Sequence, residues 1–246
     1  MNKKAALLIA FLLVFLIALD INVFSPSTLP KEKVVVERVI DGDTLVLVDG
    51  RTIRLLNINA PEKDSPLSNL SMIFVKSFEN RTLEIQITGQ DKYQRYLARL
   101  YVPYYLNLEL VKQGLASKFL VDESELNDFS KAEEEAIANG KGIWKKSLYS
   151  GCFSSKIVYS EEKVKLSNKC SESINLDGWQ LKDESRKIYT FTNLSFSSIT
   201  LHSSIGKDNS TDIFWNLKES VWNNDRDTLY LFDNVGSLAH HQSYRY

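Results

Sequence analysis

The chain is short of the side chains that hold soft metals: in 246 residues it has two cysteines, Cys152 and Cys170, and three histidines, His202, His240 and His241. Neither cysteine sits in a Cys-x-x-Cys spacing and no histidine stands beside one, which argues against a zinc site. In an oxidising compartment the pair closes a disulfide at the start of a second domain; two buried thiols are the other reading. The chain also lacks net charge. Its 30 basic residues face 31 acidic ones, and the balance is even along its length, 17 against 18 in residues 31–150 and 11 against 12 in residues 151–246. That excludes a basic field able to hold duplex DNA non-specifically. Affinity for a polyanion would have to come from a small cluster of cations, aided by a bound metal.

Long apolar runs are absent but for one. Met1-Asn2-Lys3-Lys4 precedes the apolar stretch Ala5 to Leu19, which Asp20 interrupts. Its 15 residues fit the core of a signal peptide and fall short of the ~20 that a spanning helix wants. Against cleavage, Ile21, Val23 and Phe24 extend the apolar character and no Ala-x-Ala pattern follows. Residues 1–24 are therefore read as a signal peptide or a membrane anchor. Lys3 and Lys4 favour an inside amino terminus, so the rest of the chain is expected to be extracytoplasmic, secreted or membrane-anchored. Residues 25–33, with Pro26 and Pro30, form a linker.

A composition of 43% hydrophobic and 25% charged residues is that of an ordinary globular protein, and the length favours two domains. Val34 to Ile40, Thr44 to Val48 and Thr52 to Ile58 are β-rich runs parted by Asp41-Gly42 and Asp49-Gly50, dipeptides that tolerate the positive φ of tight turns. They predict an antiparallel meander. Leu70, Ile73, Phe74 and Phe78 recur at helical spacing within 67–78. Strands are expected at Thr82 to Thr88 and Tyr96 to Val102, then helices at Leu106 to Gly114 and Glu123 to Asn139. Five strands and an inserted helix indicate a small barrel over residues 34–147. From Ile157 onward short strands replace helical periodicity, at Lys163 to Leu166, Trp179 to Leu181, Ile188 to Phe191, Ile199 to Leu201 and Thr228 to Phe232. Residues 157–246 are expected to form a β-sandwich.

The first domain sets two arginines, several oxygen donors and a glutamate at strand ends. Cutting a phosphodiester requires compensating charge on the non-bridging oxygens and orienting a water in line with the leaving oxygen. Arginine suits the first task, because its planar fork bonds two oxygens and stays charged at any working pH. Arg54 and Arg95 are the candidates. Asp43, Asn59 and the Ala60 carbonyl would hold a hard cation such as calcium, with Asp41 and Thr44 supporting them. Glu62 would position or deprotonate the attacking water. Taken singly, Asp41-Gly42-Asp43 is a turn, Arg54 a cross-strand ion pair and Pro61-Glu62 a helix start. Their order along the chain is what is specific.

Residues from about Val34 to Trp144 resemble the staphylococcal nuclease family. The resemblance rests on Ile40-Asp41-Gly42-Asp43-Thr44, Arg54-Leu55-Leu56 leading to Ala60-Pro61-Glu62, Asp91-Lys92-Tyr93 leading to Arg95, Val111 to Ala116, and Gly140 to Trp144. It implies an OB-fold barrel and calcium-dependent hydrolysis of DNA and RNA, other divalent cations being possible. Arg54 and Arg95 would clamp the phosphate, Glu62 would handle the water, and Lys92 and Tyr93 would contact the nucleotide. One departure matters: Asn59 stands where many members have aspartate, which removes a negative charge from the metal site.

Residues Leu176 to Asp183, Tyr189-Thr190-Phe191, Phe214-Trp215, Val221 to Asn224 and Asp227 to Leu231 resemble the lamin-tail domain, an immunoglobulin-like sandwich of recognition or attachment whose ligand is unknown. Trp179, Trp215 and Trp222 are weighted toward its core. The expected fold is thus mainly β with helices: an OB-fold β-barrel nuclease domain, α+β in kind, plus an immunoglobulin-like β-sandwich. The expected activity is that of an exported, calcium-dependent nuclease on single-stranded or frayed nucleic acid. The membrane enters as a partner if the amino-terminal segment is retained. The rival readings are a noncatalytic OB-fold binder and an envelope scaffold with a vestigial barrel.

Overall fold

The barrel grows from the predicted meander. In the computed structural model, which describes residues 29–61, 68–185 and 187–246, β1 (Glu32–Val39), β2 (Thr44–Leu47) and β3 (Thr52–Leu55) pair antiparallel in sequence order. After β4 (Ile58–Asn59) and helix α1 (Ser68–Lys76) come β5 (Thr82–Gln90) and β6 (Tyr96–Tyr101). β5 pairs with β1 and with β6, and β6 runs parallel to β3, closing the five strands into a barrel. Inward alternation explains closure: Val34, Val36, Leu45, Leu47, Ile53, Leu55, Leu83, Ile85, Ala98 and Leu100 are all buried in one core. Helices α2 (Leu106–Lys112) and α3 (Leu126–Ala138) cap it, and the two-residue strand β7 (Ser117–Lys118) pairs with β4.

The two Asp-Gly turns differ. Gly50 has φ +87°, the positive value expected of it, and a Cβ there would meet nothing within 4 Å. Gly42 is required by space instead: a Cβ would lie 2.4 Å from Ser71 Cβ and 2.7 Å from Ala60 Cβ. Helix α1 presses on this turn. Its buried face is Ser71, Val75 and the following Phe78; of the residues at helical spacing, Leu70 and Ile73 are exposed.

The second domain is a sandwich of two four-stranded sheets. One has the order β11 (Ile188–Thr190), β10 (Gln180–Lys182), β14 (Asp227–Phe232), β15 (Leu238–Tyr244); the other β13 (Asp212–Phe214), β12 (Ser198–His202), β9 (Lys163–Asn168), β8 (Phe153–Val158). Strands β8, β13 and β15 extend the expected set; all three are edge strands, two of them starting or ending outside any clear alternation. Trp179 and Trp222 are buried in its core and Trp215 packs half-buried against it. Cys152 and Cys170 are disulfide-bonded, tying the entry of β8 to the exit of β9.

Lys31–Tyr246 pack as one unit, and the barrel and sandwich share a third apolar cluster. Trp144, just past α3, stacks on Tyr230 of β14 with ring centroids 5.1 Å apart and on Phe232 at 6.2 Å. Ala136, Ile137, Ile143 and Leu238 complete the cluster. The apolar amino-terminal segment lies outside the described residues; among the described residues no helix is long and apolar enough to cross a membrane.

Candidate active site

The turn from β1 to β2 delivers Asp43 into the space between β3 and β4. Asp41 shapes this turn by accepting the Asp43 N–H at 3.0 Å through Oδ1. Asp43 is 1% exposed, and its carboxylate is surrounded by donors: Ala60 N–H reaches Oδ2 at 2.8 Å, while Thr44 Oγ1–H at 3.0 Å and Arg54 Nε at 3.2 Å reach Oδ1. Burial of a carboxylate is tolerable only with such compensation.

Arg54 lies on β3 opposite Thr44 of β2 and beside Leu97 of β6. It is 7% exposed. Besides Asp43, its guanidinium donates to the Leu55 carbonyl through Nη1 and, through Nη2, to the Ile58 carbonyl at 2.8 Å and Asn59 Oδ1 at 2.9 Å. The fork is therefore set in place by four acceptors from three elements, with rotamer freedom removed in advance.

Arg95 reaches the same place from the β5–β6 turn. Asp91 holds it, accepting from Arg95 Nε at 2.8 Å through Oδ2 while its Oδ1 accepts the Tyr93 and Arg95 N–H groups at 2.9 and 3.0 Å. Partial burial pushes the Asp91 pKa up, but these bonds outweigh it and the net shift is downward. Arg95 Nη1 then contacts Thr44 Oγ1 at 3.5 Å. Thr44 and Asp43 thus join the two arginines in one network, Arg54–Asp43–Thr44–Arg95. Tyr93, 68% exposed, sits with its ring 5.6 Å from the Arg95 guanidinium and 5.1 Å from Lys92 Nζ.

Of the residues singled out from the sequence, Asp41, Asp43, Thr44, Arg54, Asn59, Ala60 and Arg95 come together, and Lys92 and Tyr93 border them on the exposed turn. Glu62 lies outside the described residues. The oxygens of Asp43, Asn59 and Ala60 are of the kind a hard cation takes, with Asp43 the one side-chain anion of that set, but Asn59 Oδ1 accepts from Arg54 and both Asp43 oxygens accept hydrogen bonds, so a cation would share them with these donors. Among the described residues no three His, Cys, Asp or Glu side chains gather as a cation site.

Asn59 does more than the sequence reading gave it. Its Oδ1 accepts from Arg54, and its Nδ2 donates at 3.1 Å to the main-chain carbonyl of Glu184, in the sandwich. Sequence reasoning missed Glu184 altogether, since nothing in its local pattern marks it. Asp91, which orients Arg95, was legible as an acidic residue four before an arginine in a tight turn but received no role.

Residues 52–146 match the staphylococcal nuclease homologue family and residues 150–246 the lamin tail domain. The first match begins at β3, yet β1, β2 and Asp43 belong to the same closed barrel. An uncharacterized endonuclease of Escherichia coli O157:H7 is 37% identical over 87 residues, covering 33% of this chain and 57% of that protein. The thermonuclease of Staphylococcus intermedius is 30% identical over 131 residues, 47% of this chain and 77% of that protein. Endonuclease YhcR of Bacillus subtilis (strain 168) is 30% identical over 144 residues, 48% of this chain and 12% of that much longer protein. The chain thus spans a little over half the length of the Escherichia coli relative. With a closed barrel, two arginines joined through Asp43 and Thr44 in one network and a thermonuclease matched over most of its length, the chain belongs to the staphylococcal nuclease family and carries a lamin tail domain behind the barrel.

Proposed function

We propose that this protein is an exported nuclease that hydrolyses phosphodiester bonds of DNA, RNA or both, with calcium as its metal. The observation that supports it most is the convergence of Arg54 and Arg95 on the adjacent residues Asp43 and Thr44. Two preorganised guanidinium groups at one point are what a phosphoryl group in flight needs. The printed names of the relatives, endonuclease and thermonuclease, point the same way.

In this reading Arg95, a quarter exposed and braced by Asp91, meets the phosphate from the open side, and Arg54 from the buried side. Lys92 and Tyr93 line the approach, the ring offering a face on which a base stacks. Glu62 orients the attacking water and takes its proton, a role assigned from its place after Pro61. Asp43, with Asn59 and the Ala60 carbonyl, would hold the calcium ion, which supplies further positive charge beside the phosphate. The absence of a basic field suits short, single-stranded or frayed substrates. Export follows from the apolar segment 5–19, with the membrane a partner if that segment stays attached.

The test is a calcium-titrated digestion of a fluorescent single-stranded oligonucleotide by the full chain, with Glu62→Gln alongside. Calcium-dependent cleavage that the variant loses supports the reading; tight binding of the oligonucleotide without cleavage at any calcium concentration would make the barrel a binder.

A further inference from the structure

Glu184 of the sandwich touches the candidate site. Glu184 lies in the connection between β10 and β11 and is 3% exposed. Its main-chain carbonyl accepts from Asn59 Nδ2 at 3.1 Å. Its carboxylate pairs with Lys118 Nζ at 3.1 Å through Oε1, which also accepts from Thr228 Oγ1 at 2.6 Å, while Oε2 accepts from the Tyr246 hydroxyl. Asn59 and Lys118 sit on the two strands of the β4–β7 ribbon, where Asn59 pairs with Ser117 and Ile58 with Lys118. Glu184 therefore grips this ribbon twice, once by backbone and once by side chain.

The grip is built, not incidental. Lys118, 2% exposed, donates to Glu133 Oε2 at 2.6 Å and Thr228 Oγ1 at 2.9 Å, and lies 4.1 Å from the Tyr246 ring centroid. Glu133 also accepts the Lys118 N–H at 2.9 Å and the Tyr230 hydroxyl at 3.0 Å. Asp227 holds the Glu184 N–H at 3.2 Å, so the connection is fixed from behind. A buried lysine ringed by acceptors from α3, β14 and the β10–β11 connection leaves the ribbon little room to move.

We propose that Glu184 is a positioning residue for the nuclease site: by fixing the Asn59 amide, it sets the oxygen that holds Arg54 Nη2 and so aims the arginine clamp. The amide has one donor side and one acceptor side; with Nδ2 committed to the Glu184 carbonyl, Oδ1 must face Arg54. Aspartate at this position could not make the same bond, because a carboxylate has no hydrogen to offer that carbonyl. The lamin tail domain is then part of the catalytic unit and not a detachable module. The inference rests on the nuclease reading for its rate effect, but not for its geometry.

The experiment compares the full chain with Glu184→Ala, Glu184→Gln and, as a control that weakens the same interface away from the Lys118 cluster, Phe232→Leu, which loses the ring stacked on Trp144. Steady-state cleavage of a fluorescent oligonucleotide is measured below the unfolding range of every variant, together with nitrogen-15 NMR of the Asn59 side-chain amide and the Arg54 Nε–H. We expect kcat to fall about tenfold in Glu184→Ala, with KM within about twofold, as misplacement of a preorganised group does. Glu184→Gln, which keeps an acceptor for Thr228, should lose about threefold on the same grounds. Both should move the two resonances, and Phe232→Leu should lower the melting temperature yet leave kcat and the resonances in place. Unmoved resonances in Glu184→Gln, or equal kcat losses in all three variants, would overturn the positioning role. A full chain that cleaves nothing would overturn the nuclease reading instead, and the resonances would still decide whether Glu184 aims Arg54.

Discussion

Arg54 and Arg95 belong to one network but not to one environment, and their replacements separate accordingly. Each change to alanine should lower turnover about 100-fold, the usual consequence of losing one fixed transition-state donor. Arg54→Ala also strips the guanidinium from Asp43, whose side chain is 1% exposed; removing one partner of a buried pair costs about 3–5 kcal/mol. Arg95, with 26% of its side chain exposed, should cost little stability, since exposed pairs are worth only about 0–1 kcal/mol. Urea titrations of the two variants check this split, and equal stabilities would contradict the burial difference. For Asn59→Asp we expect tighter calcium binding, from the added charge, together with a loss of about 1–3 kcal/mol, because the Glu184 carbonyl is left without its donor. A calcium midpoint that does not move would count against Asn59 as a ligand, and an unchanged urea midpoint against the bond to Glu184. The residue types of the site were readable from the sequence because arginine, aspartate and asparagine at fixed intervals have few other uses together. Their hydrogen-bond partners were not, since Leu55, Ile58 and Glu184 contribute main-chain oxygens that any side chain would supply.

The elements follow from local pattern wherever one face is buried and the other wet. β1 shows this, with Val34, Val36 and Val39 inside and their neighbours outside, and so do the hairpin turns that set its partners. Helix α1 shows the limit. The spacing of Leu70, Ile73, Phe74 and Phe78 gave the helix, but the face it buries contains Ser71, whose hydroxyl donates to the Leu115 carbonyl, and leaves Leu70 and Ile73 exposed. That choice belongs to the 41–43 turn, against which the helix packs. Gly42→Ala should therefore cost about 1–3 kcal/mol by overpacking, even though its backbone needs no positive φ, and should lower cleavage by displacing Asp43. A variant as stable and active as the parent would show that α1 gives way freely. Strands β8, β13 and β15 escaped the pattern for a related reason: an edge strand buries less, so its sequence is less constrained.

At the scale of the whole molecule the interface governs stability. Residues 31–150 alone would expose Trp144, Ile137 and Ile143 and remove three of the partners around Lys118. Burying one large apolar side chain is worth about 1.5–3 kcal/mol, so the fragment should lose at least about 3 kcal/mol and melt roughly 10 °C lower than the full chain. Calorimetry of the two settles it, and equal melting temperatures would mean the apolar cluster contributes nothing. The pH dependence comes from the same region. Asp227 is pushed up to about 7 by burial and by the nearby Glu184. Its folded value lies above its unfolded one, so its contribution is full below about pH 4 and is lost as pH rises through 7. His240, pushed down to about 4 by burial, acts with the opposite sign, adding stability between about pH 4 and 6.5. The two offset each other up to there. Above pH 6.5 His240 no longer offsets the loss from Asp227, and stability should fall by up to about 1 kcal/mol by pH 8; Asp227→Asn should flatten the decline. A rise over that interval would exclude a carboxyl titrating there.

From the sequence alone came the barrel, the sandwich, the disulfide as one of two readings, and the polar side chains that gather around Arg54, because each depends on short-range pattern: alternation, turn chemistry, and charged groups at strand ends. Tertiary structure alone decided that the two domains meet at Asn59 and Lys118, and that the sandwich reaches Asn59, a partner of Arg54, through Glu184. Residues 125 positions apart leave no shared pattern in the chain. What joins them is a main-chain carbonyl and a buried cation, whose partners are chosen by where the packed surfaces come to lie.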